Sequence, residues 1–395
     1  MNVTTRKSRI LLVAGARPNF VKIAPLVNRL LAEPRQADVL LLHTGQHYDD
    51  AMSRVFFDQL RIPKPDVNLE VGGGSHARQT AQIISQFEPV VLEWKPDAVV
   101  VVGDVNSTIA CTLVAVKLGI RVAHVEAGLR SFDRSMPEEI NRVLTDAVSD
   151  YLFVSEPSGM VNLRREGVAE DKAFLVGNVM IDSLRSFLPT ARATTILTDL
   201  GLSDATPAAP ARPYLLATLH RPSNVDQAHT LGALLEVMRE LANDVPVIFP
   251  AHPRTRGNIE KFGFAHLFSS RAPDSRPGLW ILPPVGYLES LHLMSEATGV
   301  LTDSGGMQEE TTALGVPCLT LRDSTERPIT VDEGSNLLLG TDPHRILLEG
   351  RALLAGRGKR GRVPALWDGR AGERIVSTLL AELRRQAREL TNAGS

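Results

Sequence analysis

Leu301-Thr302-Asp303-Ser304-Gly305-Gly306-Met307-Gln308-Glu309-Glu310 is the stretch whose reading decides the fold. An apolar run predicted as a strand over Gly299–Thr302 stops at a polar turn, and Ser304 with two glycines then opens a helix predicted over Gly306–Leu314. Strand, glycine turn and helix in that order form the repeating unit of a parallel α/β sheet. Glycines at a helix start leave backbone N–H groups open to an anion, since no side chain keeps phosphate oxygens away. Glu309 and Glu310 suit the positive end of the helix dipole but would repel a phosphate if they pointed at it. Read only as a cap, the segment would also be chemically sensible.

The same alternation runs outward in both directions. Short β-rich runs lie at Ile10–Val13, Val39–Leu42, Ala98–Val102, Arg121–Val125, Tyr151–Val154 and Phe174–Val176, with helical stretches at Asp49–Leu60, Ser75–Trp94 and Ser107–Leu118. From Leu188 to Arg212 the composition shifts to Ala, Thr and Pro with no clear strand, as expected of an inter-domain connection. The pattern restarts with strands at Tyr214–Thr218, Val245–Phe249, Leu279–Leu282, Gly299–Thr302 and Pro317–Leu321, and helices at Ala228–Ala242 and Tyr287–Ser295. A tail over Gly372–Leu390 sets Ile375, Leu379, Leu380 and Leu383 on one helical face. The fold expected is α/β: two doubly wound, Rossmann-like domains, 1–187 and 188–370, facing a central cleft, with a final helix in 371–395. Ligands of such sheets bind outside the carboxyl ends of the strands, so the informative residues should directly follow strands.

Composition narrows the function. The 395 residues are 43% hydrophobic and 22% charged with a formal net charge of −2, so neither disorder nor bulk attraction to nucleic acid or an acidic membrane is expected. Two cysteines, Cys111 and Cys318, each lie inside an apolar run, which suggests no disulfide framework. The N-terminus carries no signal-peptide core and no stretch reaches the roughly 18 apolar residues of a membrane span, so a soluble cytoplasmic protein is expected.

After the first strand comes Gly15-Ala16-Arg17-Pro18-Asn19-Phe20-Val21-Lys22, where Gly15 permits a tight turn and Arg17 and Lys22 bring cations to a helix start. It is neither a Walker A loop nor a dinucleotide fingerprint, so neither ATPase nor dehydrogenase follows. Gly103-Asp104-Val105-Asn106-Ser107-Thr108 follows the third strand, and Asp104 fits either helix capping or catalysis. The next strand end reads His124-Val125-Glu126-Ala127-Gly128-Leu129-Arg130, followed by Met136-Pro137-Glu138-Glu139-Ile140-Asn141-Arg142. Pro137 fits the first helical position, and one of the two glutamates is explained by the helix dipole. Asp104 and Glu126 at neighbouring strand ends are not explained so; carboxylates converging on a cleft are how acid–base chemistry is prepared. In the second half His220-Arg221 and His252-Pro253-Arg254 end strands, where a His beside an Arg is suited to an anion. No spaced metal signature occurs, so no metal is expected.

Together these segments resemble the non-hydrolysing UDP-N-acetylglucosamine 2-epimerases. The resemblance rests on the ordered succession GARP…K, TGQH, GD…ST, HVEAGLR, PEE…NR, HR, HP, TDSGGxQEE and TERP from Ile10 to about Gly340. It implies the glycosyltransferase-B architecture, a C-terminal helix returning to the first domain, a homodimer, and inversion at C2 of UDP-GlcNAc without cofactor or metal. It also implies elimination of UDP through 2-acetamidoglucal, and a place in surface-polysaccharide synthesis. Carried over, Asp104, Glu126 and Glu138 are acid–base carboxylates, with His220 in the catalytic set and at the diphosphate. Arg17, Lys22, Arg142, His252, Ser304, Gly305, Gly306 and Arg327 are substrate contacts, and Glu310 is the ribose-binding acid.

The chain departs from the pattern in three places. Pro222 replaces the second Arg of HRREN, which helps form an allosteric UDP-GlcNAc site in some members. The segment Gln46–Met52 is longer than the QHxxM of regulated forms. Ser290 stands where many relatives place a Phe beside uracil, a contact made largely through backbone. Three other readings compete, one of them a non-catalytic nucleotide-sugar-binding module, against which Asp104, Glu126 and Glu138 argue. Epimerases of UDP-2,3-diacetamido-2,3-dideoxy-glucuronic acid share TGQHYD and PEEINR but tend to lack the TERP form. A glycosyltransferase of the same fold would need an acceptor groove that no segment identifies.

Overall fold

The computed structural model describes residues 6–15, 17–45, 60, 62–204, 211–269 and 276–393. The chain divides into two compact units. One comprises Met1–Ser183 with Ala365–Ser395, the other Leu184–Pro364.

In the first unit, β1 (Ser8–Ala14), β2 (Ala37–His43), β3 (Val67–Asn68), β4 (Ala98–Val102), β5 (Arg121–Ala127), β6 (Tyr151–Val154) and β7 (Ala173–Leu175) form one sheet in the order β3-β2-β1-β4-β5-β6-β7. Every pairing is parallel. Parallel strands covered on both faces read as continuous apolar runs, and Ala98–Val102 is buried throughout. The order runs outward from β1 to β2 on one side and crosses to β4 on the other. The topological switch therefore lies between β1 and β4, beside β5.

The second unit repeats the plan. Its strands are β8 (Leu215–Thr218), β9 (Pro246–Pro250), β10 (Gly278–Leu282), β11 (Gly299–Thr302), β12 (Cys318–Thr320) and β13 (Asn336–Leu338), ordered β10-β9-β8-β11-β12-β13 and all parallel. Its switch point lies between β8 and β11. The core between this sheet and its helices gathers Leu215, Leu235, Phe249, Leu301 and Leu321 among others, each fully buried. Burying one such side chain contributes roughly 1.5–3 kcal/mol before entropy is set against it.

Among the described residues the expected strands and helices recur within three residues at their ends, and two strands were absent from the expectation. β3 is two residues long and β13 three, at opposite ends of the two sheets, too short to carry a period. The expected helix Asp49–Leu60 lies outside the described residues apart from Leu60, as does the segment Gln46–Met52. The final helix spans Ala371–Ala393, and Ile375, Leu379, Leu380 and Leu383 are buried. Its first N–H groups, at Ala371 and Gly372, donate to the Asp182 carboxylate at 3.0 and 2.7 Å. Gly372 lies so close to Pro25 that an added Cβ would sit 3.0 Å from the proline ring. Cys111 and Cys318 are buried and unbridged, and among the described residues no helix is long and apolar enough to cross a membrane.

Candidate active site

At the switch point of the first unit, the chain leaves β1 through Gly15. A Cβ there would meet Ser107 Oγ and Val105 Cγ2 at 2.8 Å, so the glycine is required by close approach of the loop after β4. The helix Arg17–Leu31 begins at once; the Arg17 side chain is outside the described residues. Asn19 Nδ2 donates to the carbonyl of Val102 at 3.0 Å, which pins this helix to the end of β4. One turn on, Lys22 Nζ lies 2.5 Å from Glu126 Oε2.

Glu126 occupies an unusual backbone position. Val125 pairs with Phe153 and Ala127 with Val154, so Glu126 is bulged out of the β5–β6 register, with φ +70°. A non-glycine residue held there costs on the order of 1–3 kcal/mol and persists only where its surroundings impose it. Its side chain is 3% exposed, and among the described residues Oε1 has no hydrogen-bond partner. A buried acceptor left in that state costs about 1–3 kcal/mol more. Such a carboxylate serves a structural purpose poorly and an acid–base purpose well.

Asp104 follows β4 and the left-handed Gly103. It does not cap the helix Asn106–Lys117, whose cap position is Val105 with no side-chain hydrogen bond. Instead Arg142 donates to Asp104 Oδ2 from Nε at 3.0 Å and from a terminal nitrogen at 2.6 Å, and Asn141 holds the Asp104 carbonyl at 2.8 Å. The other terminal nitrogen of Arg142 reaches Glu139 at 2.6 Å. Glu139 also accepts from the N–H groups of Ser131 and Phe132 and from the Ser131 hydroxyl. Burial pushes the Glu139 carboxyl up, but these donors and Arg142 outweigh it and hold it below the usual carboxylate range. Glu139 is therefore the structural member of the pair. Glu138, half-buried in the first turn of the helix Pro137–Val148, lies outside that network.

At the switch point of the second unit, Asp303 is fully buried and organises the ends of β8 and β11. Its carboxylate accepts from the N–H groups of His220 and Arg221 and from Asn224 Nδ2, and its Oδ1 lies 3.0 Å from His220 Nδ1. Burial raises the Asp303 carboxyl, yet the His220 ring and the backbone donors prevail and keep it low. Pro222 occupies the first position of the short helix Pro222–Val225, which places Asn224 on both Asp303 and the carbonyl of Leu321. The departure from HRREN thus has a local structural use.

Ser304 caps the helix Gly305–Leu314 by accepting from Met307 N–H. The first N–H groups of a helix have no acceptor within it, so those of Gly305 and Gly306 suit an anion. Gly305 is also required from below, since a Cβ would lie 2.8 Å from Arg327 and from Glu326 Oε1. Arg327 is 6% exposed and pairs with Glu309 at 2.6 Å and Glu326 at 2.5 Å, so its guanidinium supports the helix start from inside. Arg322 adds a further pair to Glu326 at 2.8 Å. Glu310 is buried and accepts from the Tyr287 hydroxyl at 3.1 Å. Burial first, and the Glu309 charge with it, push Glu310 up to about 7 against the lowering effect of that hydrogen bond. Ser290 lies one turn along the helix Tyr287–Glu296. His252 caps the helix Pro253–Lys261, its Nδ1 accepting from Arg254 N–H at 3.3 Å. Burial and the charges of His220 and Arg254 lower its affinity for a proton. The arginines beside the two histidines are engaged within the fold, Arg254 with Asp226 and Arg221 with the Asp303 carbonyl.

The structure thus gathers Lys22, Asp104, Glu126 and Arg142 in one unit, and His220, Ser304, Gly305, Gly306 and Arg327 around Asp303 in the other. Among the described residues no cluster of His, Cys, Asp or Glu is placed to hold a metal ion. His124 and Asp146, buried behind Glu126, carried no role in the sequence reading because they meet across 22 positions. Tyr287 likewise carried no role, and its contact with Glu310 marks it.

The sequence profile of the UDP-N-acetylglucosamine 2-epimerases matches residues 29–380. The chain belongs to that family. The resemblance drawn from the ordered motifs is borne out, and the protein is a UDP-sugar epimerase, an isomerase. A UDP-N-acetylglucosamine 2-epimerase of Methanocaldococcus jannaschii is 42% identical over 377 residues, covering 94% of this chain and 98% of the relative. A UDP-2,3-diacetamido-2,3-dideoxy-D-glucuronate 2-epimerase of Pseudomonas aeruginosa is 41% identical over 374 residues, covering 94% and 99%. A crystal structure of the M. jannaschii UDP-GlcNAc 2-epimerase in complex with UDP-GlcNAc and UDP superposes with a TM-score of 0.83 at 41% identity, over 94% of this chain and 99% of that one. The epimerase family and the doubly wound fold expected from sequence are therefore both found.

Proposed function

We propose that this epimerase interconverts UDP-GlcNAc and UDP-ManNAc by inverting C2. The observation that carries the proposal is Glu126: bulged from its strand, left-handed, buried, with one oxygen on Lys22 and the other unpartnered among the described residues. C2 of the sugar has no adjacent carbonyl to acidify its proton, so a positioned base is required. Removing that proton while the C1–oxygen bond to UDP breaks leaves a C1=C2 double bond, 2-acetamidoglucal. Return of a proton to the opposite face of C2, with UDP re-adding at C1, gives the epimer. The cycle is redox-neutral and requires no nicotinamide.

A base on one face and an acid on the other call for more than one carboxylate, which Asp104, Glu126 and Glu138 supply. Ser304, Gly305 and Gly306 hold the leaving diphosphate, His220 and His252 contribute at its edge, and Glu310 accepts the ribose hydroxyls. Arg17 and Lys22 add cations, Arg142 orients Asp104, Ser290 lies beside the uracil, and Arg327 stiffens the phosphate loop. The M. jannaschii relative crystallised with UDP-GlcNAc and UDP supports this choice of substrate. We further infer a cytoplasmic homodimer whose product enters surface-polysaccharide synthesis.

The Pseudomonas relative, within one percentage point of identity of the Methanocaldococcus one, favours a second reading: the diacetamido uronate as substrate. Purified enzyme offered each UDP-sugar separately decides between them. Conversion of UDP-GlcNAc to UDP-ManNAc is expected; no conversion, with turnover of the diacetamido uronate, overturns the first reading.

A further inference from the structure

Behind Asp104 and Glu126, two of the three candidate carboxylates of the first unit, lies a fully buried histidine to which the proposed mechanism assigns nothing. His124 Nδ1 is 2.6 Å from Asp146 Oδ1, and its Nε2 is 2.9 Å from the carbonyl of Gly103. Both neighbours are oxygens with only lone pairs to offer. A neutral ring would aim a lone pair of its own at one of them, in a place water does not reach. Both contacts are satisfied only when both nitrogens carry hydrogen.

The surrounding charges agree with a cation there. Asp146 also receives Arg130 at 2.7 Å and the Gly128 N–H at 3.0 Å, and Arg130 in turn forks onto Glu166 at 2.8 and 2.6 Å. Two carboxylates, Asp146 and Glu166, then face two cations, Arg130 and His124.

The two ends of this arrangement fall at telling places. The Gly103 carbonyl belongs to the peptide that leads into Asp104. Gly103 is left-handed, with φ +71°, and a Cβ on it would lie 3.2 Å from Glu126 Oε2. At the other end, Asp146 holds the N–H of Gly128, two residues after Glu126. One histidine–aspartate pair therefore fastens both turns that present Asp104 and Glu126.

We propose that His124 is a positioning residue: a buried imidazolium that, with Asp146, locks the Gly103–Asp104 turn and the Glu126–Gly128 turn in a single register. This rests on Asp104 and Glu126 being the acid–base groups. It requires no contact between His124 and substrate.

The test has two arms. Full-length protein labelled with 15N at its 10 histidines is examined by 15N–1H correlation at neutral pH, with His124→Gln used for assignment. One histidine protonated at both nitrogens, and lost in the variant, is expected; a single N–H at His124 overturns the proposal. In the second arm, turnover of whichever UDP-sugar the enzyme accepts is compared. Small displacements of reacting groups cost about 10²-fold, so His124→Gln is expected to lower kcat by about that factor while KM is nearly unchanged. An unchanged kcat contradicts the positioning role. If His124→Gln does not fold, the wild-type spectrum still decides, because one ring with two slowly exchanging N–H protons is required there. Failure of UDP-GlcNAc as a substrate would leave that spectrum untouched, so the two failures are distinguishable.

Discussion

The two sheets of this chain are built to one plan, and their switch points present opposite chemistry. In the first unit, the loops after β1, β4 and β5 converge on carboxylates, and the backbone there is strained. In the second, the loops after β8 and β11 converge on a buried Asp303 that supports a glycine-opened helix, and among the described residues no non-glycine residue is left-handed there. On the proposed function, the same topology serves a site that moves protons and a site that holds an anion. What differs is the group each switch point presents: a buried carboxylate on a left-handed strand bulge in one, the opening N–H groups of a helix in the other.

The largest effect is expected at Glu126. Glu126→Gln preserves shape and removes the charge, so kcat is expected to fall roughly 10²- to 10⁴-fold. Steady-state assays on folded variant check it, and a loss under tenfold would remove Glu126 from the catalytic set. The counterpart in the second unit is Gly305→Ala, whose methyl would lie 2.8 Å from Arg327 and Glu326. Overpacking of this kind costs typically about 1–3 kcal/mol, so a lower melting temperature and weaker UDP binding by calorimetry are expected. Unaltered melting would mean that the ion network beneath the helix yields easily.

Glu310 sharpens the second unit's character. Its folded carboxyl is raised to about 7 by burial, so the folded state holds a proton that the unfolded chain releases near pH 4.3. Its contribution to stability is therefore fully present below about 4.3 and lost as pH rises towards 7, with a slope of at most about 1.4 kcal/mol per pH unit. Denaturant titrations of wild type and Glu310→Gln across that window are expected to differ by this slope, and parallel curves would contradict it. The smallest effect is expected from Tyr287→Phe, which removes one hydrogen bond to Glu310, worth about 0.5–1.5 kcal/mol. It should also raise the pH at which Glu310 ionises, visible as an upward shift in the pH dependence of UDP affinity.

Legibility in the sequence followed physical locality. Runs such as Ala98–Val102 and Gly299–Thr302 were readable because every residue in them is buried between helices. Short edge strands such as Val67–Asn68 carry no period and were not. Asp104 and Glu126 were readable as strand-end carboxylates. The bulge and left-handed backbone of Glu126 were not, because no glycine or proline marks them. The forked Arg142–Asp104 pair spans 38 positions and Arg327–Glu309 joins a loop to the helix Gly305–Leu314, so neither partnership has a local signal. Sequence alone therefore left Asp104 open between capping and catalysis, and gave no sign that Arg327 is paired from inside.

The most direct test of the division between a proton-moving unit and a diphosphate-holding one is incubation of the enzyme with UDP-GlcNAc in D2O without any acceptor. UDP-ManNAc carrying deuterium at C2 is expected. Epimer formed with protium retained at C2 would contradict it.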